Sequence, residues 1–303
     1  MKLPLAPISV FLLFIPMIAF GQTSGVEVVI LDEHQESISS FFPFGEDYRG
    51  SASITSADLG NDTVPEIIIG SGPGLEPLIK IFRQDGSLIS EFLAYHETYK
   101  NGTDVAVCDL NNDGEIEIVT GTMVGGGPHV RIFNTDGHLL CGGGFFAYAG
   151  DFRGGVNVAC GDVNNDGLDD IVTGAGLTGG PHVKIFDPMG NLQHEIFAGS
   201  ASENTGVDVA VADLNGDGDS EIITGRMGSG DPTVIAFDFK NNHLTFVLAL
   251  SAFNEYQNGI SISSADVDGD GMDEIGVTTT NHSVGELKYF EMTGAISHHS
   301  NPF

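Results

Sequence analysis

An all-β fold, a β-propeller of four-stranded antiparallel blades, is predicted by three features of this 303-residue chain. An acidic nine-residue pattern recurs at spacings of 51, 53, 51 and 53 residues, counted between Asp58, Asp109, Asp162, Asp213 and Asp266. Each copy leads into a short β-branched run closed by glycine, such as Ile171-Val172-Thr173-Gly174, which favours strand over helix. Glycine supplies 42 of the 303 residues, nearly twice the ~7% norm, so turns are frequent. Self-similarity at this period marks a repeat architecture, and four strands per ~50 residues is the arithmetic of a propeller blade.

The third repeat shows the elements most plainly. Its strand A is Val156–Cys160, followed by the acidic loop; strand B is Asp170–Thr173, strand C His182–Asp187 and strand D Leu192–Phe197. A Gly-rich segment, 174–181, joins B to C, and Pro188-Met189-Gly190-Asn191 makes the C–D turn. Strand alternation puts the A–B and C–D turns on one rim and the B–C and D–A connections on the other.

Residues 1–21 are expected to be a secretory signal, and 22–303 a single propeller domain. Met1-Lys2 is followed by an apolar run from Val10 to Phe20, with Ala19 and Gly21 at the small-residue positions of a cleavage site. Pro4, Pro7 and Pro16 and the shortness of the run argue against a permanent membrane helix, and no later segment is apolar enough to span. The expected location is secreted, periplasmic or cell-surface. Residues 26–49 align with strands C and D of a repeat, whereas the fifth repeat has strand C at Leu287–Glu291 and only a short tail, Ala295–Phe303, for strand D. An N-terminal C–D pair completing the last blade, or an incomplete larger ring, both fit, so five to seven blades are expected.

The acidic loops span 58–66, 109–117, 162–170, 213–221 and 266–274. The second offers Asp109, Asn111, Asp113 and Glu117 at positions 1, 3, 5 and 9, the third Asp162, Asn164, Asp166 and Asp170. The fourth offers Asp213, Asn215, Asp217 and Glu221, the fifth Asp266, Asp268, Asp270 and Glu274. Position 7 varies freely (Glu115, Leu168, Asp219, Met272), as suits a ligand that is a backbone carbonyl. Hard oxygen donors in this number, with glycine at position 6 for the sharp turn, suit Ca²⁺. An EF-hand would need an acid at position 12, where Ile69, Thr120, Thr173, Thr224 and Val277 stand. The first loop keeps Asp58, Asp62 and Glu66 but carries Gly60 and Thr63 at positions 3 and 6, so it is expected to be the weakest. About four to five Ca²⁺ are therefore expected.

The formal net charge is −31, and 20 of the 42 acidic residues lie in these loops. Five Ca²⁺ would bring that charge to about −21; with only 11 Lys and Arg, a nucleic-acid or anionic-membrane partner is not expected. Cys108, Cys141 and Cys160 lack metal spacing and read as small buried residues, since 108 and 160 fall in alternating apolar runs. Small side chains at Ala106, Ala159 and Ala210 suit an innermost strand, and Ser53, Asp104, Asn157, Asp208 and Ser261, two residues earlier on that face, are expected to line a central channel.

Residues 155–167, 171–176 and 179–187 (Gly-Val-Asn-Val-Ala-Cys-Gly-Asp-Val-Asn-Asn-Asp-Gly, Ile-Val-Thr-Gly-Ala-Gly and Gly-Gly-Pro-His-Val-Lys-Ile-Phe-Asp) resemble an FG-GAP/VCBS repeat. This is the repeat of integrin-alpha-like propellers and of many secreted microbial proteins. The resemblance spans roughly 26–291 and implies a Ca²⁺-loaded propeller. It departs where Asn101-Gly102, Gly154-Gly155, Thr205-Gly206 and Asn258-Gly259 replace Phe-Gly, and receptor signalling is not carried over.

Catalytic motifs are sparse. Gly174-Ala175-Gly176-Leu177-Thr178-Gly179 matches GxGxxG, but the next element reads as a strand, where dinucleotide binding needs a helix N-terminus. His129 and His182 recur at equivalent Gly-Pro-His-Val positions, as structural hydrogen-bonding residues do. The expected function is a secreted calcium-binding module for binding or adhesion to a protein or glycan. The alternative is a polysaccharide-active lyase or hydrolase on the same scaffold, since paired carboxylates abound. Recognition is expected on the B–C/D–A rim, with Tyr99, Phe152, Arg153 and Tyr256 among the contacts.

Overall fold

Alternating apolar side chains and glycine turns give 22 strands in a computed structural model that describes residues 25–31, 37–240, 243–254, 256–279 and 287–300, with 298–300 described by backbone only. The expected leader, residues 1–21, lies outside the described residues.

Five four-stranded antiparallel sheets follow in chain order. Blade 1 comprises β3 (Ala52–Ala57), β4 (Glu66–Ser71), β5 (Leu78–Phe82) and β6 (Leu88–Leu93). Blade 2 comprises β7 (Thr103–Cys108), β8 (Glu117–Thr122), β9 (His129–Phe133) and the two-residue β10 (Phe145–Phe146), which a 3₁₀ turn at Cys141–Gly143 precedes. Blade 3 is β11 (Val156–Gly161), β12 (Asp170–Ala175), β13 (His182–Phe186) and β14 (Leu192–Phe197). Blade 4 is β15 (Val207–Ala212), β16 (Glu221–Arg226), β17 (Thr233–Lys240) and β18 (His243–Ser251); blade 5 is β19 (Ile260–Ala265), β20 (Glu274–Thr279), β21 (Leu287–Phe290) and β22 (Ile296–Ser300).

The N-terminal hairpin, β1 (Val28–Leu31) with β2 (Ser37–Phe41), forms a separate two-stranded sheet. It does not complete the last blade, because the C-terminal tail supplies β22 as that blade's own fourth strand. The hairpin keeps the repeat phase instead. Phe41 pairs with Phe82 at 4.8 Å as Phe92 pairs with Phe133 at 5.0 Å and Phe145 with Phe186 at 4.6 Å. It therefore stands before blade 1 as strands C and D of a preceding blade would.

The apolar core lies between blades. Ile68, Ile79 and Ile81 of blade 1 meet Val105, Ile118 and Phe133 of blade 2, and the same arrangement recurs at the next three interfaces. Second strands such as β8 and β12 are buried at every residue because both faces are covered, whereas β6 and β14 show alternate exposure at the periphery. Each fully buried Ile contributes roughly 1.5–3 kcal/mol. A Cβ on Gly70, Gly121 or Gly174 would run into the carbonyl oxygen of Thr103, Val156 or Val207 on the next blade's inner strand, so glycine here sets how closely blades approach.

Cys108 and Cys160, read from sequence as buried thiols, are joined as a disulfide between the inner strands of blades 2 and 3. The two stand one residue out of phase in the repeat, Cys108 opposite Glu117 and Cys160 opposite Ile171, and their Cα atoms lie 5.6 Å apart, inside the range a disulfide bridges. Cys141 is free and exposed, on the 3₁₀ turn.

Candidate metal loops and the channel

All five A–B loops close in one way. The position-6 N–H donates to the position-1 carboxylate at 2.7–3.1 Å, in Thr63 to Asp58, Gly114 to Asp109, Gly167 to Asp162, Gly218 to Asp213 and Gly271 to Asp266. The position-7 N–H donates to the position-5 carboxylate, from Val64 to Asp62, Glu115 to Asp113, Leu168 to Asp166, Asp219 to Asp217 and Met272 to Asp270. Two left-handed residues allow this, at position 4 (Asn61, Asn112, Asn165, Gly216, Gly269) and at position 6. The first loop adopts the same path with Thr63 at φ 71°, a conformation that a β-branched residue resists.

Position 9 supplies the buried end of the last four loops, while Glu66 in the first is half-buried. Glu117, Asp170, Glu221 and Glu274 are all under 9% exposed. Glu66, Glu117, Glu221 and Glu274 accept the position-2 N–H of Leu59, Leu110, Leu214 and Val267; the shorter Asp170 accepts from Asn164 Nδ2 at 2.8 Å. Burial, together with the charges of the other loop acids, pushes Glu117, Glu221 and Glu274 up and takes Asp170 to about 7. In the fifth loop one oxygen each from Asp266, Asp268 and Glu274 falls within 4.8 Å of the others. Oxygen-only donors crowded around a buried carboxylate fit a hard divalent cation. In the fourth loop Lys240 Nζ lies 3.1 Å from Asp217 and 2.6 Å from Asp219, so the Asp219 side chain is held by an ammonium group at the loop's edge.

A contact not foreseen from sequence joins neighbouring loops. Asp109 N donates to Asp169 Oδ2 at 2.8 Å and Asp213 N to Asp273 Oδ2 at 3.1 Å, each across a blade boundary. The acceptors occupy position 8 of the following loop, a position the alternating ligand pattern skips.

The residues expected to line the channel do so, around a cavity of about 540 Å³ enclosed by the five inner strands. They also clasp the blades together. Asp104 accepts from Ser53 Oγ at 2.6 Å and from Val158 N at 2.8 Å; Asp208 accepts from Ser261 Oγ and Ile262 N; Asn157 Nδ2 donates to the Val207 carbonyl.

The opposite rim differs from the expected array of exposed aromatics. Tyr256 is 8% exposed and its hydroxyl donates to Gly259 O; the half-buried Tyr99 donates to Gly102 O and Met123 O. Tyr48 makes the same kind of bond to Ser51 O and Pro73 O, so these tyrosines tie the D–A corner to the following strand, as a buried hydroxyl requires. Phe152 packs edge-on to Tyr148. Arg153 is exposed, with Nη1 on the carbonyls of Gly150 and Phe152. His129 bonds Gly143 O and His182 bonds Glu195, the structural role read for them.

A model of the FG-GAP-like repeat matches residues 162–224 and 213–277. Among solved structures, the V. cholerae biofilm matrix protein Bap1 is 21% identical over 82% of this chain and 39% of its own, with TM-score 0.43. The exotype rhamnogalacturonan lyase YesX is 19% identical over 81% of this chain and 41% of its own, with TM-score 0.32. The Photorhabdus luminescens Tc holotoxin pore is 20% identical over 90% of this chain and 12% of its own, with TM-score 0.45. This chain thus spans well under half the length of each. No curated protein matches. Among the described residues no helix is long and apolar enough to cross a membrane.

Proposed function

For this five-bladed β-propeller of FG-GAP-like repeats we propose the role of an exported, calcium-stabilised binding module. The observation that carries the reading is the repetition of one closed, oxygen-lined loop on a single rim of every blade. Asp109, Asp113 and Glu117, with their counterparts in the other loops, would hold Ca²⁺, which supplies positive charge to acids that otherwise repel. Export is supported by the expected leader and by the Cys108–Cys160 disulfide, a bond that persists in oxidising compartments.

Recognition falls to the other rim, where Asn101, Val124 and Leu177 stand exposed at the channel lining and the exposed Arg153 adjoins the lining residue Gly154. A protein or a glycan is the ligand class. A glycan and protein array probed with the calcium-loaded chain tests this, alongside Arg153→Glu. Binding lost in Arg153→Glu with calcium content unchanged is the expected result; no binding to either class, or depolymerisation of a bound glycan, would overturn the module reading.

A further inference from the structure

We propose that Asp169 and Asp273 are positioning residues that couple the metal loops in pairs, the second with the third and the fourth with the fifth. The proposal rests on the calcium reading above and extends it to residues outside the ligand set.

The geometry is the same at both boundaries. Asp273 Oδ2 accepts the Asp213 N–H at 3.1 Å, while the Asp273 N–H donates to the Asp213 carbonyl at 2.9 Å. Asp169 Oδ2 accepts the Asp109 N–H at 2.8 Å, with the Asp169 N–H directed at the Asp109 carbonyl at 3.5 Å. The leading ligand of one loop is therefore gripped on both backbone groups by position 8 of the next. At the intervening boundary position 8 is Ser220, and the recorded contact is its N–H donating to the Asp162 carbonyl at 3.1 Å. The carboxylate link thus alternates around the ring.

Position 8 is flanked by two ligands of its own loop, the position-7 carbonyl and the position-9 carboxylate. An ion in the third loop would fix Leu168 and Asp170, and so fix Asp169 between them. Asp109 is then pre-oriented in the second loop before its ion arrives. Partners of this outer kind are worth about 10–100-fold in metal affinity, and reciprocity requires the second loop to favour the third by the same factor.

The test is Ca²⁺ titration of the full chain by calorimetry, giving stoichiometry and affinity. Asp169→Ala is expected to weaken one site about tenfold or more, whereas Asp169→Asn, which keeps an accepting oxygen, retains most of that affinity. Asp113→Ala removes the second loop's own ligand, and in that background Asp169→Ala is expected to change nothing further. An unchanged titration for Asp169→Ala, or an equal loss in the Asp113→Ala background, overturns the coupling while leaving calcium binding intact. A parent chain that binds no Ca²⁺ overturns the calcium reading itself.

Discussion

Ser53 Oγ donates to Asp104 Oδ1 across 2.6 Å, although the two residues lie 51 positions apart on adjacent blades. The other carboxylate oxygen takes the Val158 N–H of a third blade, so one side chain clasps three inner strands. Burial, reinforced by the charge of Asp208 and opposed by the Ser53 hydrogen bond, pushes Asp104 up to about 7. In the unfolded chain an aspartate titrates near 3.9, so the folded state holds this proton more tightly. Stability from this group is greatest below the unfolded value and is lost as pH rises through about 7. Asp104→Asn should flatten the pH dependence of melting in chelator between pH 5 and 8 by roughly one proton, on the order of a few kcal/mol. Parallel curves for the two proteins would show that Asp104 titrates normally.

Blade spacing predicts a graded glycine series. A Cβ at Gly121 meets a backbone carbonyl of the next blade, whereas at Gly225 its nearest neighbour is the Ile262 Cγ2 methyl at 2.8 Å, followed by Ile260 side-chain atoms. Gly121→Ala should cost about 3 kcal/mol in denaturant unfolding and Gly225→Ala roughly 1, since a side chain yields where a strand backbone cannot. Equal costs would mean that the blades slide apart freely.

The disulfide predicts sensitivity to reduction. Cys108 and Cys160 are separated by 52 residues, a closure worth up to about 4 kcal/mol. Paired Cys108→Ser and Cys160→Ser substitution should lower the melting temperature as far as a reductant lowers that of the parent. A reductant effect that persists in the double variant would have to come from elsewhere.

Much of this was legible because the repeat writes each rule several times. Leading aspartates gave the blade period, and β-branched runs such as Ile171–Thr173 gave the second strands to within two residues. The disulfide was hidden because Cys108 and Cys160 sit in apolar alternation, where a thiol and half a cystine look alike. Asp169 and Asp273 were hidden because their partners are backbone N–H groups on another blade, which leave no mark in local spacing. The left-handed positions held by Asn61, Asn112 and Asn165 had a readable signal, since Asn is the side chain that best tolerates that conformation after glycine. Tyr256 misled because an aromatic in a polar turn reads as exposed until its hydroxyl finds Gly259.

The five loops should bind Ca²⁺ unequally. Thr63 forces the first loop through the left-handed region where the other four have glycine, at a cost of about 1–2 kcal/mol. Thr63→Gly should raise stability in the presence of Ca²⁺ and tighten one site in the titration. A destabilised Thr63→Gly variant would show that the side chain holds the loop rather than straining it.

The most direct measurement is the melting temperature of the chain in about 1 mM Ca²⁺ against the same chain in excess chelator. For extracellular modules with Kd near 0.1 mM each site contributes about 1.4 kcal/mol at that concentration, so four or five sites give ~6–7 kcal/mol. The melting temperature is expected to fall many degrees on chelation and to be restored by Ca²⁺ far better than by an equal concentration of Mg²⁺, which demands a near-ideal octahedron and dehydrates reluctantly. A melting temperature indifferent to chelator would contradict the calcium reading.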